Sequence, residues 1–328
     1  MTERGTGQAL ATQTSKPPAL RPSIALALGG GGARGLAHIL MLEVFDELGL
    51  KPKVIAGTSI GAVFGAAYAA GLPARAIRAH AQAVLSQRLD VARLLLAART
   101  EPITRFLNLL PVRFALLQPE PLLSSLLPAG VPNDFDALAI PLRVVATDFY
   151  AQEQVVFSQG RVRTAVAASM ALPAIFAPVM SEGRTLMDGG LVNPLPFDVI
   201  RNEADIVVAI DVSGASTGPG KHQQPSALAA LMASSQILQR SIVREKLKAQ
   251  QPDIYIDVEV DEFHVLQFLR FNAVLKAALP AKEQLRRQLL RVLKSQAAET
   301  LPIGPPPAEP AKKRRLAGFK RLSPARKI

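Results

Sequence analysis

Four short apolar runs, IALAL at 24–28, VIA at 54–56, LRVVAT at 142–147 and IVVAIDV at 206–212, alternate along the chain with segments of helical periodicity. Apolar runs of this length suit strands buried on both faces, and the helices between them suit the crossovers of a parallel sheet. The alternation predicts an α/β fold of three layers, a mainly parallel central sheet with helices on both faces. A fifth run, IYIDVEV at 254–260, alternates apolar and polar residues, as a strand wet on one face does, and is expected at an edge.

Leu36, Leu40, Val44 and Leu48 recur every fourth residue, and Gly49 follows where a left-handed C-cap is wanted. A second helix is expected from about Gly61 to Ala70, ended by Gly71-Leu72-Pro73. Residues 84–140 are Leu-rich and broken by prolines; ordinary helical packing is preferred there over a lid or a lipid-facing surface. The uncharged windows 54–74 and 164–181 contain Gly or Pro, so they read as buried strand-turn-helix segments rather than membrane spans. The first residues lack the apolar stretch of an export signal. Residues 1–22 and 301–328 are expected as disordered tails flanking one folded domain over 23–300.

The chain carries 38 Lys and Arg against 26 Asp and Glu, a net charge of +12 that suggests nucleic acid until it is placed along the sequence. Residues 311–328 hold eight Lys or Arg and no acid, and the body from 23 to 310 is nearly neutral. With no Trp and three Tyr there is little to stack on bases, so no specific nucleic-acid partner is expected. The basic run suits equally a tether to anionic membrane and a solubilising extension. The absence of cysteine excludes disulfides and thiolate metal sites and leaves the cytoplasm as the expected compartment.

Gly57-Thr58-Ser59-Ile60-Gly61 fits GxSxG between an apolar strand and an Ala-rich helix, the context that lifts a serine hydroxyl onto a sharp turn. Upstream, Gly29-Gly30-Gly31-Gly32-Ala33-Arg34-Gly35 joins the first strand to the first helix, where backbone N–H groups converge on an anion. A dinucleotide fold would want an acid at the end of the second strand, and this chain has Thr58 and Ser59; the P-loop Gly-Lys-Ser/Thr is also missing. The oxyanion of an acyl intermediate is the anion that remains favoured. Arg34 is left between orienting this loop, meeting a lipid phosphate, and lying solvated in a first helical turn. Asp188-Gly189-Gly190, followed by Asn193-Pro194-Leu195-Pro196, is by itself an ordinary turn.

Taken together, the glycine loop ending in Ala33-Arg34-Gly35, the Gly-Thr-Ser-Ile-Gly elbow, Ala168-Ser169-Met170-Ala171-Leu172-Pro173, and Asp188-Gly189-Gly190 with its Asn-Pro-Leu-Pro sequel resemble the bacterial patatin-like phospholipases. The resemblance covers roughly residues 23 to 213, with the blocks in that family's order and spacing. It implies a Ser/Asp dyad with Ser59 as nucleophile and Asp188 as proton acceptor. It also implies an oxyanion hole from Gly30, Gly31 and Gly32, with Arg34, Gly35, Gly57, Gly61, Gly189 and Gly190 as supporting motif positions. The chain departs from the pattern after Thr147-Asp148, where it reads Phe-Tyr-Ala-Gln-Glu and relatives commonly place a Gly, so the local turn is in question.

The implied chemistry is hydrolysis of carboxylic esters of phospholipids or lysophospholipids through an acyl-enzyme, with no metal or cofactor. A carboxylate of ordinary pKa is a weak base for an alcohol, so burial is expected to raise the pKa of Asp188. A triad of Ser59, Asp188 and His222 or His264 has the chain order of α/β-hydrolases, but the serine elbow follows a single clear strand before its own, too few for that fold. His38 and His80 lie in helical patterns without metal spacing, and Asp148, Ser169 and Asp211 read as caps. An acyl transferase or thioesterase using the same Ser59, and a lipid-binding protein without catalysis, are the competing functions.

Overall fold

The structure is a computed structural model that describes residues 22–86, 117–214 and 227–299. In chain order its strands are β1 (Ile24–Leu28), β2 (Val54–Thr58), β3 (Leu142–Asp148), β4 (Glu153–Phe157), β5 (Val179–Ser181), β6 (Arg184–Asp188), β7 (Ile206–Asp211) and β8 (Ile254–Asp257). Its helices are α1 (His38–Glu47), α2 (Ile60–Ala69), α3 (Ala74–Ser86), α4 (Pro119–Leu126), α5 (Val162–Ser169), α6 (Ala227–Ala249), α7 (Phe271–Ala277) and α8 (Leu279–Glu299).

Every residue of β1, β2 and β7 is buried, as strands covered on both faces require. They form the centre of a parallel run in the order β3-β2-β1-β7-β8. Side chains alternate between two unequal cores. Ile24, Leu26 and Leu28 face the larger one, shared with α1, α2, α5 and α8, whereas Ala25 and Ala27 face a thinner one closed by Phe197, Ile200 and Val243 of α6. The three-layer α/β architecture read from the sequence is the one observed. β8 pairs with β7 alone and so forms an edge, as the alternating IYIDVEV pattern implies.

The antiparallel strands β4, β5 and β6 lie beyond the sequence reading. β4 occupies one edge of β3 over Val144–Asp148. β2 pairs with β3 as far as Val145, and β6 pairs with it from Ala146 onward. A strand has two edges, so β2 and β6 share the second, and their last residues, Thr58 and Asp188, fall opposite consecutive residues of β3.

Gly49 takes a φ of 61° after α1, with the Leu50 N–H returning to Phe45 O. The helix expected from Leu36 begins instead with a 3-10 turn over Gly32–Ala37. After Asp148 no Gly is needed, because Asp148 Oδ1 accepts from the N–H groups of Tyr150 and Ala151 and Gln152 supplies the positive φ, 59°. In the described part of 84–140, Leu123, Leu127, Phe135 and Ile140 are core residues; 87–116 lies outside the described residues. So do both expected tails, save residue 22, and His222. Among the described residues no helix is long and apolar enough to cross a membrane.

Candidate active site

At the end of β2 the chain reverses direction within one residue, and that residue is Ser59. Its φ of 55° and ψ of −123° are unusual for a residue with a side chain, a local strain that packing must hold. The turn is fixed from several sides. Ser59 O accepts from the N–H groups of Ala62 and Val63, starting α2. The Thr58 hydroxyl, fully buried, donates to Asn193 O. Gly61 lets α2 approach β1, for a Cβ there would stand 2.1 Å from Leu28 O. Gly57, the residue before the last of β2, packs against Ala62, and Gly35 lies against Ile60.

The N–H of Ser59 donates to Ser169 Oγ at 2.8 Å, and Ser169 Oγ donates in turn to Val145 O at 2.6 Å. Ser169 is completely buried at the end of α5. Its hydroxyl therefore ties the serine turn to β3, a role that the cap reading of the sequence missed. The Ala-Ser-Met-Ala-Leu-Pro block was visible, but not which of its atoms would matter.

Asp188 ends β6 with 3% of its surface exposed. Oδ2 accepts the Ser59 hydroxyl at 2.7 Å and Oδ1 accepts the Gly190 N–H at 2.7 Å. Its backbone is held by Ala171 O and by the Thr147 hydroxyl. Burial pushes the carboxyl pKa up to about 6, against the two hydrogen bonds, which favour the charged form. Gly189 allows the chain to pass β3, where a Cβ would meet Val145 O at 2.2 Å.

The glycine loop faces this pair. Gly29 N–H donates to Ile210 O and Gly30 N–H to Pro194 O. Of the three N–H groups expected to serve an oxyanion, that of Gly30 is thus already committed. Among the described residues the N–H groups of Gly31 and Gly32 have no backbone partner, and both glycines line the same cavity as Ser59 and Asp188. The cavity is small, about 50 Å3, and is roofed by Leu172, Val265 and the α6 residues Met232 and Gln239. His38, fully buried, donates from Nε2 to Gly29 O, and burial drives its pKa down to about 4, so it props the loop as a neutral ring.

Of the three roles left open for Arg34, the structure fits orientation of the glycine loop. The side chain is neither solvated nor open to a lipid phosphate, being 1% exposed. Its guanidinium donates to Phe263 O, Ser213 O and Gln236 Oε1, which anchors the glycine loop to the segments after β7 and β8 and to α6. Asn193 and Lys246 are further residues that the sequence did not single out. Lys246 donates to Asn193 Oδ1 and Leu195 O, so α6 holds the Asn-Pro-Leu-Pro segment whose carbonyls receive Thr58 and Gly30. His80 binds Ser125 O and His264 is exposed; neither contacts Ser59 or Asp188. Asp211 accepts from Ser213 N–H and Tyr255 OH, as a capping residue would, and Asp148 caps its own turn.

A family model described as patatin-like phospholipase matches residues 26–201. An uncharacterized NTE family protein of Mycobacterium tuberculosis is 36% identical over 220 residues, 65% of this chain and 57% of that protein. Patatin-like phospholipase domain-containing protein 7 of Rattus norvegicus is 34% identical over 193 residues, 58% of this chain and 14% of that protein. The chain therefore spans little more than half of the mycobacterial relative's length and a small part of the mammalian one's. Among solved structures, VipD from Legionella pneumophila aligns with a TM-score of 0.44 at 16% identity, covering 81% of this chain and 67% of that one. Human GIVD cytosolic phospholipase A2 aligns with a TM-score of 0.42 at 12% identity, covering 85% and 60%.

Proposed function

For this chain, which belongs to the patatin-like phospholipase family, we propose the activity of a serine lipid acyl hydrolase that cleaves carboxylic esters of phospholipids or lysophospholipids. The observation that carries the proposal is the 2.7 Å hydrogen bond from Ser59 Oγ to Asp188 Oδ2, made on a strained turn that faces the N–H groups of Gly31 and Gly32.

In the proposed reaction Ser59 Oγ attacks the ester carbonyl as Asp188 takes its proton. The carbonyl oxygen, now negative, is received by Gly31 and Gly32 at the start of a helical turn, where N–H groups lack internal partners. Collapse of the tetrahedral intermediate expels the alcohol, which recovers the proton from Asp188 and leaves an acyl ester on Ser59. Water, deprotonated by Asp188, attacks that ester, and the fatty acid leaves as Ser59 regains its proton. A carboxylate whose pKa lies near 6 is a better acceptor than an ordinary one and is still ionised at neutral pH.

We place this activity in the cytoplasm, with the basic residues of 311–328 as an electrostatic tether to anionic lipid, worth about 1 kcal/mol per Lys or Arg near such a surface. Fatty-acid release from phosphatidylcholine and lysophosphatidylcholine, followed by mass spectrometry, tests the reading. Release by the wild-type chain should fall about a thousandfold or more in Ser59→Ala. Equal release by the two would remove the proposal.

A further inference from the structure

Apart from the catalytic cavity, the described residues enclose a cavity of about 380 Å3 that shares no lining residue with it. One wall follows from strand alternation. Val207 and Ala209 of β7 and Tyr255 of β8 face the thinner core, so Asp211 and Asp257, two residues on, stand on that same face. They are register partners at the last positions of the two parallel strands. Crevices at the carboxyl ends of such strands are where open α/β sheets take small ligands. The opposite wall is the last part of α6. There Arg240, Arg244 and Lys248 recur every fourth residue, a cationic stripe about 12 Å long.

Polar groups gathered around a space normally close on one another, and some do so here. Asp211 accepts from Ser213 N–H and Tyr255 OH, and Lys248 pairs with Glu245 of its own helix. Among the described residues, however, the side chains of Arg240, Arg244 and Asp257 make no hydrogen bond and no ion pair. Charges of both signs therefore face one another across the cavity without meeting.

We propose that this cavity binds a small zwitterion carrying a phosphate and a primary ammonium group, the chemistry shared by a free phosphorylated amino alcohol and a phospholipid head group. The two guanidinium forks and Lys248 receive the phosphate oxygens, and Asp257 with Asp211 receives the ammonium. A plain anion would leave Asp257 beside further negative charge, and a plain cation would leave the arginines unpaired, so neither satisfies both walls. Three cations against two carboxylates leave the site positive by one charge, which a phosphate monoester, near two negative charges, with one ammonium balances. Tyr255 is the one aromatic residue of the lining, too few for the cage that a quaternary ammonium prefers. The inference stands apart from the catalytic reading, since the proposed ligand has no carboxylic ester.

Calorimetric titration of the full chain at neutral pH with phosphoethanolamine, inorganic phosphate and ethanolamine, each alone, tests it. Phosphoethanolamine should bind at least tenfold more tightly than either part. Arg244→Ala should weaken phosphoethanolamine and phosphate alike by about tenfold. Asp257→Asn should bring phosphoethanolamine down to the affinity of phosphate and leave phosphate no weaker. Both positions are exposed, so neither substitution removes a core side chain, and thermal unfolding of the variants checks that they fold. No binding of phosphoethanolamine, phosphate binding as tightly as phosphoethanolamine, or an affinity undiminished in Arg244→Ala, as contact with the basic run at 311–328 would give, overturns the proposal. Sedimentation of the Ser59→Ala chain with phosphatidylcholine vesicles, with and without phosphatidylethanolamine, separates the sources. Extra binding to phosphatidylethanolamine that Arg244→Ala abolishes assigns the site to a lipid head group, whereas calorimetric binding without it assigns the site to the free compound.

Discussion

Asp188 stands one strand position beyond Thr58 on a single edge of β3, opposite Ala146 where Thr58 is opposite Val145. That register carries its carboxylate to the residue after Thr58, Ser59, across 129 positions of sequence. The pair is therefore set by strand register rather than by a flexible loop, and a slip of one residue in β6 would turn the carboxylate to the other face of the sheet.

The raised pKa of Asp188 sets the pH dependence of the proposed reaction. The carboxylate accepts a proton only when ionised, so kcat/KM for a soluble ester should rise about tenfold per unit below about pH 6 and level off above it. A pH–rate profile that stays flat down to about pH 4, the ordinary carboxylate value, contradicts this account.

The same burial makes a statement about stability with the opposite sign. The folded pKa lies above the unfolded one, so the stability that Asp188 contributes is full below about pH 4 and is lost as pH rises through about 6. At pH 8 Asp188→Asn should accordingly unfold at a higher temperature than the wild type, by the equivalent of about 1–3 kcal/mol, with the gap closing toward pH 4. Thermal unfolding at the two pH values checks it; a variant less stable at pH 8 would mean that the Ser59 and Gly190 hydrogen bonds outweigh desolvation.

Ser169 should act on rate through the geometry of Ser59. Ser169→Ala leaves the Ser59 N–H and Val145 O without their bridge, a cost of about 1–3 kcal/mol. Part of that cost should appear as a drop in kcat of roughly tenfold or more with KM little changed, because the strained turn is no longer pinned. Steady-state kinetics on a soluble ester separates the outcomes, and a change in KM alone would assign Ser169 to substrate contact instead.

Arg34 should prove an anchor and not a phosphate ligand. Arg34→Lys cannot satisfy Phe263 O, Ser213 O and Gln236 together, so it should lower stability by about 2 kcal/mol or more in the absence of any lipid. It should also slow hydrolysis of esters with and without a phosphate head group to the same degree. Normal stability combined with a selective loss on phosphorylated substrates would restore the ligand reading.

The parallel strands were legible because burial on both faces writes an uninterrupted apolar run, as in Ile24–Leu28 and Ile206–Asp211. β5 is three residues long, and β4 begins with the exposed pair Glu153-Gln154, so neither leaves a pattern of its own. At the site, Ser59 was legible from its GxSxG context between a strand and a helix, whereas Asp188-Gly189-Gly190 reads by itself as an ordinary turn and was singled out only through the resemblance to the patatin-like family. Ser169 and Lys246 were not legible, since several of their partners are main-chain atoms, Val145 O, Ser59 N and Leu195 O, which no side-chain pattern records. The role of Arg34 stayed open between orienting the loop, meeting a phosphate and lying solvated for a related reason: its burial is imposed by Ser213 and Phe263, residues 179 and 229 positions away. Gly30 fits the loop motif as well as Gly31 does, and the difference between them is a single hydrogen bond to Pro194 O.

The central claim is that Ser59 is an activated nucleophile with Asp188 as its base. Labelling of the folded chain with a fluorophosphonate, followed by mapping of the modified peptide, tests it most directly. The account predicts label on Ser59 alone, slowed strongly in Asp188→Asn and accelerating as pH is raised through about 6. Absence of label on Ser59, with and without phospholipid vesicles, or labelling at an undiminished rate in Asp188→Asn, would contradict it.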